Sequence, residues 1–126
     1  MRGIIRFTKM EGGGNDFVVI DDFRSRLGNS YAGMAKKLCN RKYSVGADGL
    51  LVIKKSRKAD IKMKYYNSDG SIASFCGNGA RCISYYAYVK KMVPKKFMLE
   101  SDAGMVNCLL YTSDAADEED SVDLGG

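Results

Sequence analysis

Residue types that can carry out chemistry are concentrated where the chain reads Cys-Gly-Asn-Gly, from Cys76 to Gly79. The pattern predicts that a helix begins there, and the unpaired N–H groups of a first helical turn stabilise a thiolate and can hold a carboxylate. Glycines at 77 and 79 remove side chains that would keep a ligand off this backbone. Asn67 and Asn78 offer donors and acceptors to an amino acid. A thiol in such a cradle suits removal of an α-proton or attack on a carbonyl, and the residues alone favour neither.

Other cysteine chemistries fit the sequence less well. The chain has no histidine, which argues against Cys-His hydrolases and transferases. The four cysteines include no closely spaced pair, which argues against a zinc site. Cys39 and Cys82 fit core positions, but packing does not explain the glycines and asparagine beside Cys76. A redox pair of Cys76 with Cys82 is disfavoured because the two lie about 240° apart around a helix.

The elements that must position these residues are two helices and several strands. Helices are predicted from Ser30 to about 41 and from Gly77 to about 91. Alternating or continuous apolar runs predict strands at 4–9, 17–21, 50–53, 60–66, 97–100 and 104–110. A glycine-rich loop is predicted from Glu11 to Asp16. Short links between strands favour an α+β domain with a largely antiparallel sheet, not a doubly wound one.

Composition narrows the class of protein. The net charge is +5, and all 20 Lys and Arg residues precede Phe97, with only acidic charges after it. A basic body can indicate a nucleic-acid partner, but lysines that alternate with apolar residues, such as Lys62 and Lys64, favour a solvated face or an anionic small substrate. No apolar run reaches the roughly 18 residues of a membrane span. Without an export signal at the N-terminus, reduced thiols in a cytoplasmic protein are expected.

The C-terminal residues differ from the rest of the chain. Residues 107–126 are acidic and lack hydrophobic periodicity, which is typical of a disordered acidic tail. The run from Cys108 to Glu118 also resembles the peptide produced when sequencing-adapter DNA is translated. On that interpretation the native protein ends near Val106 and Cys108 is not a biological cysteine. We therefore expect one domain at 1–106 and a non-native or disordered tail at 107–126.

Four motifs together resemble the N-terminal half of the diaminopimelate epimerase family. They occur in the order and at the spacing of that family, and they cover about residues 4–106. The last is Cys-Gly-Asn-Gly-Ala-Arg-Cys, and the others include Gly-Asn-Asp-Phe and Asn-Ser-Asp-Gly-Ser. The motifs lie at 7–21, 46–51, 66–71 and 76–82.

The resemblance implies a fold, an activity and a set of site residues. The expected fold has a sheet curled around a central helix. The family interconverts LL- and meso-diaminopimelate in lysine biosynthesis by proton transfer between two cysteines, without pyridoxal phosphate or a metal ion. Cys76 matches one of these cysteines, while Asn15, Asn67, Gly77 and Asn78 match substrate-binding positions.

Half of the expected enzyme has no counterpart in the chain. The resemblance implies two similar domains with the site between them, so the C-terminal domain and its cysteine are the missing partners. The chain alone is then expected to be inactive. Whether the full enzyme forms a homodimer is left open. An amino-acid-binding module without catalysis is the alternative function.

Overall fold

The computed structural model describes residues 5–27 and 30–110, which form one six-stranded sheet and two helices. The strands follow one another across the sheet in the order of the chain. They are β1 (Thr8–Gly12), β2 (Asn15–Asp21), β3 (Gly49–Lys54), β4 (Ile61–Asn67), β5 (Lys96–Ser101) and β6 (Gly104–Leu109). Helix α1 (Tyr31–Leu38) connects β2 to β3, and helix α2 (Gly77–Val89) connects β4 to β5.

Three of the five strand pairings are antiparallel and two are parallel. The parallel pairs are β2 with β3 and β4 with β5, which are the pairs joined through a helix. A parallel connection must return the chain across the sheet, and a helix is the usual way to do so. The predicted α+β class with a largely antiparallel sheet is therefore confirmed.

The two helices cover opposite faces of the sheet. Successive side chains of a strand point to opposite faces, so in β3 Leu51 packs in the cluster that contains α2, and Leu50 packs in the cluster that contains α1. Helix α2 contributes Ala80, Ile83 and Ala87 to its cluster, at the spacing of one buried helix face. Burial on both faces explains why β2 and β3 appear in the sequence as nearly continuous apolar runs.

The first hairpin differs from its predicted form. A loop was expected from Glu11 to Asp16, but β1 and β2 pair through Glu11 opposite Asp16 and Gly12 opposite Asn15. Only Gly13 and Gly14 remain as the turn, and both have positive φ. This is the backbone that a two-residue hairpin requires, and glycine adopts it without strain.

Two predicted helix ends and one boundary also shift. Helix α1 ends at Leu38 and α2 at Val89, a little earlier than expected. At the other end of the domain, β6 runs through Cys108 to Leu109, past the predicted boundary at Val106, with Cys108 buried opposite Phe97. The prediction for 111–126 concerns residues outside the described part of the chain.

Candidate active site

The sequence-predicted site residues meet at one end of the sheet. Asn15 begins β2, while Asn67 ends β4 opposite Gly49, the first residue of β3. Helix α2 begins at Gly77, shortly after β4 ends. Strands β2 and β3 run in the same direction and β4 runs against them. The start of β2 and the end of β4 therefore lie at the same end of the sheet, which brings Asn15 and Asn67 to that end.

Cys76 is the residue that precedes α2. Its backbone is extended, and its carbonyl oxygen accepts the hydrogen bond of the Ala80 N–H at 3.0 Å, which closes the first turn. The side chain is half-buried, packs against the core cluster and makes no capping hydrogen bond. Tyr65 lies beside it, and the pKa of Tyr65 is raised, mainly by burial and further by its proximity to Cys76 and Asp48. Its hydroxyl therefore stays protonated next to the sulfur.

The other three cysteines are buried, and their environment raises the pKa of each thiol. Burial raises the pKa of Cys82 to about 12 and is the main cause that raises the pKa of Cys39 to about 11. The pKa of Cys108 is also raised by burial. All four cysteines are free thiols. Cys76 is thus the single cysteine of the chain whose side chain is not buried, and a thiolate must be reachable to take part in proton transfer.

Asn15 and Asn78 are brought into direct contact. Nδ2 of Asn78 donates to Oδ1 of Asn15 at 2.7 Å and lies 3.3 Å from the carbonyl oxygen of Gly13. The contact with the hairpin is so close that a Cβ on Gly13 would collide with the Asn78 amide. The β1–β2 turn and the start of α2 therefore form one unit.

Gly77 leaves the first turn of α2 open. A Cβ at this position would meet nothing within 4 Å. The N–H groups of this turn can therefore be approached by a ligand, as expected for a carboxylate cradle.

Asn67 lies at the same end of the sheet but does not contact the side-chain amides of Asn15 and Asn78. Its Nδ2 donates to Oγ of Ser71 at 3.0 Å, and its backbone N–H donates to the Ser71 carbonyl at 2.8 Å. Asp69 accepts from the same Ser71, and this contact lowers the pKa of Asp69. The structure thus places Asn67 in a tight turn next to the site.

A charged cluster behind Asn15 was not predicted. Arg41 binds both carboxylate oxygens of Asp16, at 2.8 and 3.1 Å, and one oxygen of Asp48 at 3.1 Å. Lys9 also pairs with Asp16 at 3.1 Å. Hydrogen bonding to Arg41 is the main reason why the pKa of Asp16 lies well below its usual range. Asp48 connects this cluster to the site, because its Oδ2 accepts from Nδ2 of Asn15 at 3.2 Å.

No group of three or more acidic or cysteine side chains placed to hold a metal ion occurs in residues 5–27 and 30–110. Neither helix of this part of the chain has the length and apolar composition that a membrane span requires.

Solved structures of known proteins share this fold. A PhzF-family phenazine biosynthesis protein of Bacillus anthracis superposes with a TM-score of 0.62 at 19% identity, over 82% of this chain and 34% of that protein. Methylitaconate-delta-isomerase superposes with a TM-score of 0.62 at 12% identity, over 77% of this chain and 31% of its own. At such low identity the similarity defines the fold class alone, a domain of the type shared by these proteins.

Sequence comparison defines the family. The family model described as diaminopimelate epimerase matches residues 7–125, so the chain belongs to the diaminopimelate epimerase family. The diaminopimelate epimerase of Caldanaerobacter subterraneus subsp. tengcongensis is 45% identical over 96% of this chain and 43% of its own length. That of Clostridium perfringens is 47% identical over 72% of this chain and 34% of its own. The chain thus spans well under half the length of these relatives.

Proposed function

We propose that this chain supplies one half of the active site of a diaminopimelate epimerase, with Cys76 as one of its two proton-transfer residues. The observation that carries the proposal is the contrast among the cysteines. Cys76 is half-buried at the start of α2, next to the open backbone of Gly77, whereas the other three are buried and have raised pKa values.

The proposed step is a proton transfer on each face of the α-carbon. Sγ of Cys76, as thiolate, takes the α-proton and becomes a thiol, and the electron pair of the broken C–H bond stays on the α-carbon. The N–H groups at the start of α2 hold the adjacent carboxylate and stabilise the charge that develops there. A second thiol on the opposite face then gives its proton to the carbanion and becomes a thiolate. One proton leaves and one arrives, and the reaction is proposed to proceed without pyridoxal phosphate or a metal ion.

The remaining site residues are proposed to bind the substrate. Asn15, Asn67 and Asn78 supply amide groups for the polar ends of LL- or meso-diaminopimelate, and Gly77 allows its carboxylate to approach the backbone. If these groups bind the carboxylate and the ammonium of the amino acid, the α-carbon between them would be held next to Cys76.

The second thiol is proposed to come from a partner domain. The relatives are more than twice as long as the matched region, and none of Cys39, Cys82 or Cys108 is accessible. Ile72 and Phe75 shortly precede Cys76 in the chain, and their side chains are 59% and 37% exposed. Apolar side chains exposed beside a polar site fit a surface that another domain covers.

Alkylation of the native chain tests the role of Cys76. At pH 8, iodoacetamide is expected to modify Cys76 first, and diaminopimelate is expected to slow this reaction because it would cover the sulfur. Peptide mass mapping identifies the modified cysteine, and Cys76→Ser serves as the matched control that should remain unmodified. Earlier modification of Cys39 or Cys82 would contradict the proposal.

An epimerisation assay in deuterated water, which labels the α-carbon when its proton is replaced, separates catalysis from binding. The chain alone is expected to show little or no epimerisation of LL-diaminopimelate, because the second thiol is missing. Full epimerase activity would contradict the half-site. If calorimetry showed equal binding by the parent and Cys76→Ala, and the parent thiol were unreactive, the chain would instead be an amino-acid-binding module.

A further inference from the structure

The polarity of the Asn15–Asn78 pair can be read from its partners. A side-chain amide has a donor end and an acceptor end, and which end faces a given neighbour follows from the neighbour's chemistry. Oδ2 of Asp48 accepts from the backbone N–H of Asp16 at 3.1 Å and from Nδ2 of Asn15 at 3.2 Å. A carboxylate can only accept, so Asn15 must turn its nitrogen towards Asp48.

The orientation of Asn15 then determines that of Asn78. With its nitrogen on Asp48, Asn15 presents Oδ1 to Asn78, and only the nitrogen of Asn78 can answer it, at 2.7 Å. The carbonyl oxygen of Gly13, at 3.3 Å from the same nitrogen, is a second acceptor that requires the same orientation. Donation therefore runs in one direction, from Asn78 to Asn15 to Asp48.

We propose that Asp48 is a positioning residue that sets this polarity. Within residues 5–27 and 30–110, one amide hydrogen of Asn15 and the Oδ1 atom of Asn78 remain without a hydrogen-bond partner. The hydrogen-bonding capacity left for a ligand is therefore one donor on Asn15 and one acceptor on Asn78, and not the reverse. This deepens the proposed function and rests on it for the ligand class, since an amino acid carries both a carboxylate that accepts and an ammonium that donates.

Arg41 keeps the Asp48 carboxylate in place. Its guanidinium binds Oδ1 of Asp48 while it also holds Asp16 through two bonds, so Oδ2 is left to accept from Asn15. Besides its pairing with Asp16, Arg41 therefore contributes the orientation of Asp48.

Exchange of side-chain amide hydrogens, followed by NMR without ligand, tests the polarity. In the parent, the Asn78 amide hydrogens and one of Asn15 are expected to exchange slowly with water. In Asp48→Ala they should exchange about tenfold faster, the factor that follows from losing one hydrogen bond. Asp102→Ala removes a carboxylate from a separate surface pair with Lys64, and is expected to leave the exchange unchanged.

A conservative variant keeps the test decisive if Asp48→Ala is poorly folded. An asparagine at position 48 is nearly the same shape but has one acceptor oxygen in place of two, so it cannot accept both from Arg41 and from Asn15 with the Asp16 N–H, and Asp48→Asn is expected to exchange faster than the parent. Parent-like exchange in a folded Asp48→Ala or in Asp48→Asn would overturn the role of Asp48.

Ligand binding separates this inference from the proposed function. The parent is expected to bind diaminopimelate more tightly than pimelate, which lacks the ammonium groups, and Asp48→Ala should reduce this preference. If the exchange data agree and the parent binds neither compound, the ligand class is wrong and the role of Asp48 stands. If the exchange does not respond to Asp48→Ala, the role of Asp48 is wrong whatever the chain binds.

Discussion

Substitution of Gly13 by alanine tests the contact between the first hairpin and the start of α2. Gly13 has a φ of +62°, and a Cβ there would lie 2.8 Å from Nδ2 of Asn78 and closer still to its Oδ1 and Cγ. The Asn78 side chain can only escape by rotating away. It would then give up its hydrogen bonds to Asn15 and to the Gly13 carbonyl.

The expected cost has two parts. A side chain in the left-handed region costs roughly 1–2 kcal/mol. Loss of two hydrogen bonds adds about 1–3 kcal/mol, at 0.5–1.5 kcal/mol for each bond. Gly13→Ala should therefore lower the free energy of unfolding by about 2–5 kcal/mol, a large part of the stability of a domain of this size.

Urea unfolding of four proteins separates the two parts. In an Asn78→Ala background the alanine at position 13 no longer meets an amide, so it should cost the backbone strain alone. The cycle formed by the parent, the two single variants and the double variant gives the coupling between the positions. Equal cost of Gly13→Ala with and without Asn78 would refute the proposed collision.

Two further predictions concern stability. The pKa of Asp16 is held below its ordinary value of 3.8, mainly by Arg41, so its contribution to stability is present above about pH 4 and is lost as the pH falls further. Asp16→Asn should therefore flatten the loss of stability in acid, measured as urea midpoints at pH 6 and pH 3; an unchanged slope would contradict the shift. Tyr31→Phe removes the hydroxyl that donates to Asp22, a carboxylate only 4% exposed, and should cost about 1–3 kcal/mol. Tyr43→Phe, at a side chain 79% exposed, should change nothing, and similar effects of the two would argue against the buried bond.

Local patterns predicted most of the elements that carry the site. In β4, Ile61 and Met63 alternate with lysines, and the structure buries the two apolar residues completely or nearly so. The start of α2 was predicted at Gly77 and is observed there. These predictions succeed because the pattern of burial along a helix or strand follows from the order of apolar and polar residues within that segment.

Features that depend on distant residues were not predictable in the same way. Glu11 and Gly12 have little preference for a strand, and they join β1 because Asn15 and Asp16 pair with them. The cluster that contains Arg41 joins residues 25 and 32 positions apart in the chain, and no local pattern marks such pairs. The motif resemblance predicted Asn15 and Asn78 as site residues. Their contact could not be predicted, because it depends on the packing of the β1–β2 hairpin against the start of α2.

The hydrogen bond between Asn15 and Asn78 has a consequence for folding, since it closes a loop of 63 positions. The bond from Asn15 to Asp48 closes another of 33. Contacts that are distant in sequence form only after the entropy of closing the chain has been offset by other contacts. The first hairpin can form locally, but the amide pair requires β3 and β4 to be in register and α2 to be docked. The site is therefore expected to assemble among the last parts of the domain.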